Sequence, residues 1–68
     1  MNEAIKWAGG KSALARRLGV SYAAVSQWIR EGGLPPARAI EVERMSEGAL
    51  RAINLVAEVD KEVVRNAE

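Results

Sequence analysis

The chain has 68 residues and contains no cysteine, no histidine and no phenylalanine; its aromatic residues are Trp7, Tyr22 and Trp28. Without cysteine there are no disulfides and no thiol chemistry, a composition compatible with a reducing cytoplasm. Without histidine the commonest metal ligand and the commonest general base are both missing. No set of carboxylates forms a site, so no catalytic residue, cofactor or metal is expected, and the chain does not read as an enzyme. No segment approaches the ~20 apolar residues of a membrane span, and the first residues lack the apolar core of a signal peptide. Repeats, low-complexity runs and long linkers are also missing.

What is present is a helical composition with twelve alanines, which implies a thin, closely packed core and one domain. A domain this small buries only about 60% of its unfolded surface and is marginal alone, so self-association would help it.

The most informative stretch is residues 13–30. Leu14 and Leu18 sit one turn apart with the small Ala15 between them, and Gly19 ends that helix where the backbone turns left-handed. Val20 follows as a buried anchor. Ser21 is placed to cap the next helix, its hydroxyl accepting a backbone N–H two or three residues on. There Val25, Trp28 and Ile29 recur at spacings of three and four and give one apolar face. Tyr22, Ala23, Ser26, Gln27 and Arg30 fall on the opposite, wet face. Two short helices hinged at a glycine, the second with a polar stripe, are the pattern of a helix-turn-helix whose second helix enters the DNA major groove. The bland alternative is a small bundle with no nucleic-acid role. Agreement of residues 14, 15, 18, 19, 20, 25 and 28 on one register favours the motif. Trp28 reads as a core plug, whereas Tyr22 is free either to stack on a neighbour or to reach the groove.

Around the motif, Asn2 is expected to cap a short helix ending at Ala8, with Ile5 and Ala8 inward. Gly9 and Gly10 break it, and Lys11 or Ser12 opens the next. Gly32 and Gly33 end the 21–31 helix. Leu34-Pro35-Pro36 sets up a fourth helix to about Ser46, through Ile40, Val42 and Met45, with Leu34 packing back as a staple and Gly48 closing it. In residues 49–68 the positions Ala49, Ala52, Ile53, Val56, Val59 or Asp60, and Val63 follow a helical stripe with Leu50 beside it, while Ile53, Leu55, Ala57 and Val59 alternate as in a strand. A lone strand leaves backbone donors unpaired, and no hairpin-turn dipeptide is present. A fifth helix, with a restart near Asp60, is therefore expected. Its surplus apolar positions imply a second contact surface, for another copy of the chain. The expected architecture is all-α: five helices around a helix-turn-helix, with residues 1–48 as the DNA-binding head and 49–68 as a C-terminal dimerisation segment.

Net charge is only +1, but it is unevenly spread. Residues 1–38 carry six Lys and Arg against two Glu, a net +4; residues 39–68 carry four against seven acids, a net −3. A phosphate backbone would attract the first half and repel the second, orienting the molecule on approach.

Gly9-Gly10-Lys11-Ser12-Ala13-Leu14-Ala15, Leu18-Gly19-Val20-Ser21, Ala24-Val25-Ser26-Gln27-Trp28 and Leu34-Pro35 through Arg38-Ala39-Ile40-Glu41-Val42-Glu43-Arg44 resemble the phage Cro repressors and Cro-like prophage and plasmid regulators of the YdaS antitoxin type. The resemblance covers about residues 5–50. It implies a small lambda-repressor-like domain that binds a pseudo-palindromic operator as a homodimer and blocks transcription. A Leu-Arg-Pro-Asp-like ending, common in the family, is not found here. By position the resemblance assigns base reading to Tyr22, Ala23, Ser26 and Gln27. Gln27 can pair with adenine at N6 and N7, Ser26 can donate or accept, and Ala23 can pack on a thymine methyl. Lys11 and Ser12, at a helix N-terminus, suit phosphate; Arg16 follows one turn along the same face. Arg30 reaches phosphate or, with tilt, guanine. Arg38 either clamps the DNA backbone or forms an ion pair with Glu41 or another carboxylate. A rival reading is an antitoxin that covers a toxin partner with its C-terminal segment and autoregulates its operon. Activation in place of repression is open to the same head.

Overall fold

The computed structural model describes residues 1–67. Five α-helices follow one another: α1 (Asn2–Ala8), α2 (Lys11–Leu18), α3 (Tyr22–Glu31), α4 (Pro36–Met45) and α5 (Lys61–Ala67), with single 3₁₀ turns at Ala52–Asn54 and Glu58–Asp60 between the last two. The all-α expectation holds, and the helix boundaries through α4 lie where the glycines and prolines put them. Asn2 does not cap α1; Met1 takes the cap position and Asn2 lies inside the helix.

The α2–α3 junction is closed by its own neighbours. Gly19 sits at φ 69°, in the left-handed region. Its N–H donates to the Arg16 carbonyl at 3.3 Å, and that of Val20 donates to the Ala15 carbonyl at 3.0 Å. Those two bonds satisfy carbonyls that the helix end would otherwise orphan. At the next residue the Ser21 hydroxyl accepts the N–H of Ala24, three positions on, at 3.1 Å. Leu14, Ala15 and Leu18 of α2 and Val25 and Trp28 of α3 are buried together with Ala4, Ala8, Leu34, Ala39 and Val42. Val20 is half-buried against this cluster.

Residues 49–60 are not α-helical, which corrects the expectation of a helix beginning near 49; α5 begins only at Lys61, near the anticipated restart. The reason is a contact that local propensity does not encode. Leu34 donates its N–H to the Leu55 carbonyl at 2.9 Å, and Leu34 and Val56 form a single parallel bridge. A Cβ on Gly33 would lie 2.6 Å from the Val56 carbonyl carbon and 2.8 Å from the Leu55 oxygen. Gly33 thus does more than stop α3: its missing side chain lets the two backbones touch. The strand-like alternation of 53–59 survives as that one bridge. On the α4 side, a Glu43 carboxylate oxygen accepts the Ala52 N–H at 2.7 Å and the Arg51 Nε–H at 3.3 Å. The Ser46 hydroxyl accepts the Leu50 N–H at 3.0 Å. Ala52, Leu55, Val56 and Val64 are all buried, so the first 48 residues and the tail share one core. Leu34 is wholly buried, in the centre of that core and not merely as a staple.

Candidate nucleic-acid interface

At 3.6 residues per turn, Tyr22, Ser26, Arg30, Ala23 and Gln27 occupy one arc of α3, and Val25 and Trp28 point the other way. The structure keeps that division. Val25 is fully buried and Trp28 is 8% exposed, while Tyr22 is 51% exposed. Ala23, Gln27 and Arg30 are also exposed, and Ser26 is half-buried. Ile29, expected on the apolar face, is instead 36% exposed; it lies at the boundary, seven residues after Tyr22 and on the same edge. Met45, expected inward on α4, is exposed as well, at the last residue of that helix.

Gln27 is not loose. Its Nε2 donates to the Glu31 carboxylate at 3.0 Å across one helical turn. Glu31 lies outside the expected site residues, although its i,i+4 spacing from Gln27 is the sequence signal that places it beside them.

Lys11, Ser12 and Arg16 are exposed on α2. No side chain caps the first turn of α2 among the described residues. Lys11, Arg16 and Arg30 have no ion-pair partner among the described residues, whereas Arg38, Arg51, Lys61 and Arg65 each sit beside a carboxylate. Arg17 lies over the Trp7 ring, 4.6 Å from its centroid, and joins α1 to α2. Arg38 takes the ion-pair side of its alternative. Its guanidinium donates to Glu41 at 3.0 Å and reaches the Leu18 carbonyl at 3.5 Å, tying α4 to the end of α2. The exposed, unpaired cations considered for phosphate contact therefore sit on α2 and α3, and the tail's cations are neutralised in place.

A family model described as "DNA-binding transcriptional regulator Cro" matches residues 1–66. The chain belongs to the Cro family. This is a family of DNA-binding transcriptional regulators, not an enzyme class. The Cro-family chain is also 38% identical over 60 residues to the Escherichia coli (strain K12) protein YdaS, whose name marks it as a candidate transcriptional regulator. That match covers 87% of this chain and 61% of YdaS, so the chain spans about three fifths of the relative's length. No solved structure matches it significantly. No helix among the described residues is long and apolar enough to cross a membrane. Within this Cro-family chain α3 thus carries one buried wall and one wet wall, beside cations of α2 that have no ion-pair partner among the described residues.

Proposed function

We propose that this Cro-family chain is a sequence-specific transcriptional repressor of the bacterial cytoplasm that binds a pseudo-palindromic operator as a homodimer, with α3 in the major groove. The observation that carries this reading is the wet wall of α3, Tyr22, Ala23, Ser26, Gln27 and Arg30, held outward by the buried Val25 and Trp28. Gln27 reads a base edge by donor and acceptor, Ser26 donates or accepts beside it, and Ala23 and Tyr22 offer apolar contact to a thymine methyl. Lys11, Ser12, Arg16 and Arg30 hold phosphates and fix the register without reading sequence. Arg38 is left out of the contact set, because its charge is used within the chain. Val59 and Val63 are 84% and 52% exposed and four residues apart; we place the contact between the two copies there. Two reading helices then address half-sites one DNA turn apart, ~34 Å, and occupancy of a promoter-overlapping site excludes polymerase.

Selection of bound duplexes from a random pool tests the reading. The expected result is an enriched sequence with two-fold symmetry and half-sites about 10 base pairs apart. Enrichment of nothing overturns it. Against the enriched duplex, Gln27→Ala should relax preference at one base pair by about 1–3 kcal/mol. Arg16→Ala should weaken binding to every duplex and lower the salt slope by roughly one unit.

A further inference from the structure

We propose that Glu31 is a positioning residue for base recognition: it locks the Gln27 amide in the one orientation that reads adenine. The inference rests on α3 being the reading helix and goes on to the identity of the base. The Glu31 carboxylate is an acceptor only, so the Gln27 amide must turn its NH₂ group toward it and its Oε1 away, as the 3.0 Å contact from Nε2 requires. The carboxylate also repels Oε1, which favours donation through the Nε2 hydrogen farther from Oε1. The other hydrogen and Oε1 then remain side by side on one edge of the amide, a donor next to an acceptor. That edge is the complement of adenine, which presents N7 as acceptor and N6 as donor in the major groove. An untethered glutamine turns its amide over freely and presents the two groups in either order. Glu31 removes the wrong order before DNA arrives. It also places a carboxylate next to Arg30 at the end of the reading helix, where it opposes phosphate and so penalises binding that makes no base contact.

The test uses the full chain, the duplex enriched by the wild-type protein, and variants of that duplex at the base pair whose preference Gln27→Ala erases. That pair should be A·T. Glu31→Ala should reduce the preference for it over the other pairs by roughly three- to tenfold, the worth of one net hydrogen bond, and tighten binding to random duplex. Its thermal melting should match wild type, since Glu31 is exposed. Glu31→Gln, whose amide oxygen still accepts, should keep more of the preference than Glu31→Ala. In a Gln27→Ala background, removing Glu31 should change base preference no further. An unchanged preference in Glu31→Ala, equal loss in Glu31→Gln, the same loss in the Gln27→Ala background, or a pair other than A·T overturns the role of Glu31 while leaving α3 as the reader. If the wild-type chain enriches no sequence, the reading helix and the role of Glu31 fall together.

Discussion

The two junctions that flank α3 begin alike and finish differently. At its N-terminal side the hydrogen bonds of Gly19, Val20 and Ser21 run to residues within five positions, with a long-range tie beside them where Arg38 reaches the Leu18 carbonyl at 3.5 Å. At its C-terminal side the same glycine geometry appears: the Gly32 N–H donates to the Ile29 carbonyl at 3.3 Å and the Gly33 N–H to that of Trp28 at 3.0 Å. The chain is then completed by a distant segment, through the Leu34–Leu55 hydrogen bond and the bare backbone of Gly33 against residues 55–57. One end of α3 is therefore set mainly by its neighbours in sequence and the other by the tail. The tail, though acidic and remote from the wet wall in sequence, is part of what holds that wall in place. Removing residues 50–68 would take away Ala52, Leu55, Val56 and Val64 from the common core, so truncation would disturb the fold itself. Point changes at the two junctions can separate local from long-range support.

Gly33→Ala should have the largest effect. Its φ is unexceptional, so the penalty is not conformational; a methyl group simply has no space between α3 and the Leu55–Ala57 backbone. Forcing that overlap should destabilise the fold by about 3 kcal/mol, a large share of what a domain this small possesses. Thermal or urea unfolding followed by circular dichroism measures it. A loss below about 1 kcal/mol, the typical cost of an ordinary substitution, would mean that the tail gives way easily and that the C-terminal junction is no firmer than a loop.

Ser21→Ala tests the other junction and should cost less, about 1 kcal/mol, the ordinary value of a helix cap. The hydroxyl satisfies one N–H at an exposed site, and water takes over when it is removed. Base preference should survive in Ser21→Ala, because Gly19 and the two N–H groups it directs still set the turn. A cost at Ser21 equal to that at Gly33 would erase the distinction between the two junctions.

The same distinction explains what could be read in the sequence. Gly19, Ser21 and the spacing of Val25 and Trp28 each act within one or two turns, so a local pattern states them fully. The wet wall followed from the same arithmetic. Gly33 reads as a second helix-stopping glycine until Leu55–Ala57 is seen lying on it, and nothing near position 33 announces that partner. Residues 49–60 were legible as apolar but not as irregular, because their shape is imposed by Leu34 and Glu43 from elsewhere in the chain. Periodicity puts Ile29 and Met45 inward, yet both are exposed, because a repeat of three and four marks a stripe and not where its edges lie. Arg38 was ambiguous between DNA and Glu41 because an i,i+3 spacing permits the ion pair without requiring it.

The smallest effect should come from a bond local to the tail itself. Lys61, at the start of α5, lies 2.9 Å from Glu58, and that hydrogen bond and charge, with a lesser contribution from Arg65, hold the Glu58 carboxyl below the ordinary carboxylate range. A carboxyl depressed in the folded state stabilises above its unfolded value, and the contribution disappears as pH falls through the folded one. Acidification through the carboxylate range should thus loosen the first turn of α5 in the wild-type chain and leave Glu58→Gln comparatively flat across that window. Amide exchange at residues 61–64 reads the difference. Because Glu58 is fully exposed to solvent, the contribution is screened and should vanish in high salt. Exchange at Leu34 and Trp28 should not respond. A response there would couple the surface ion pair to the backbone contact at Gly33, and the tail's local and long-range supports would then be one device.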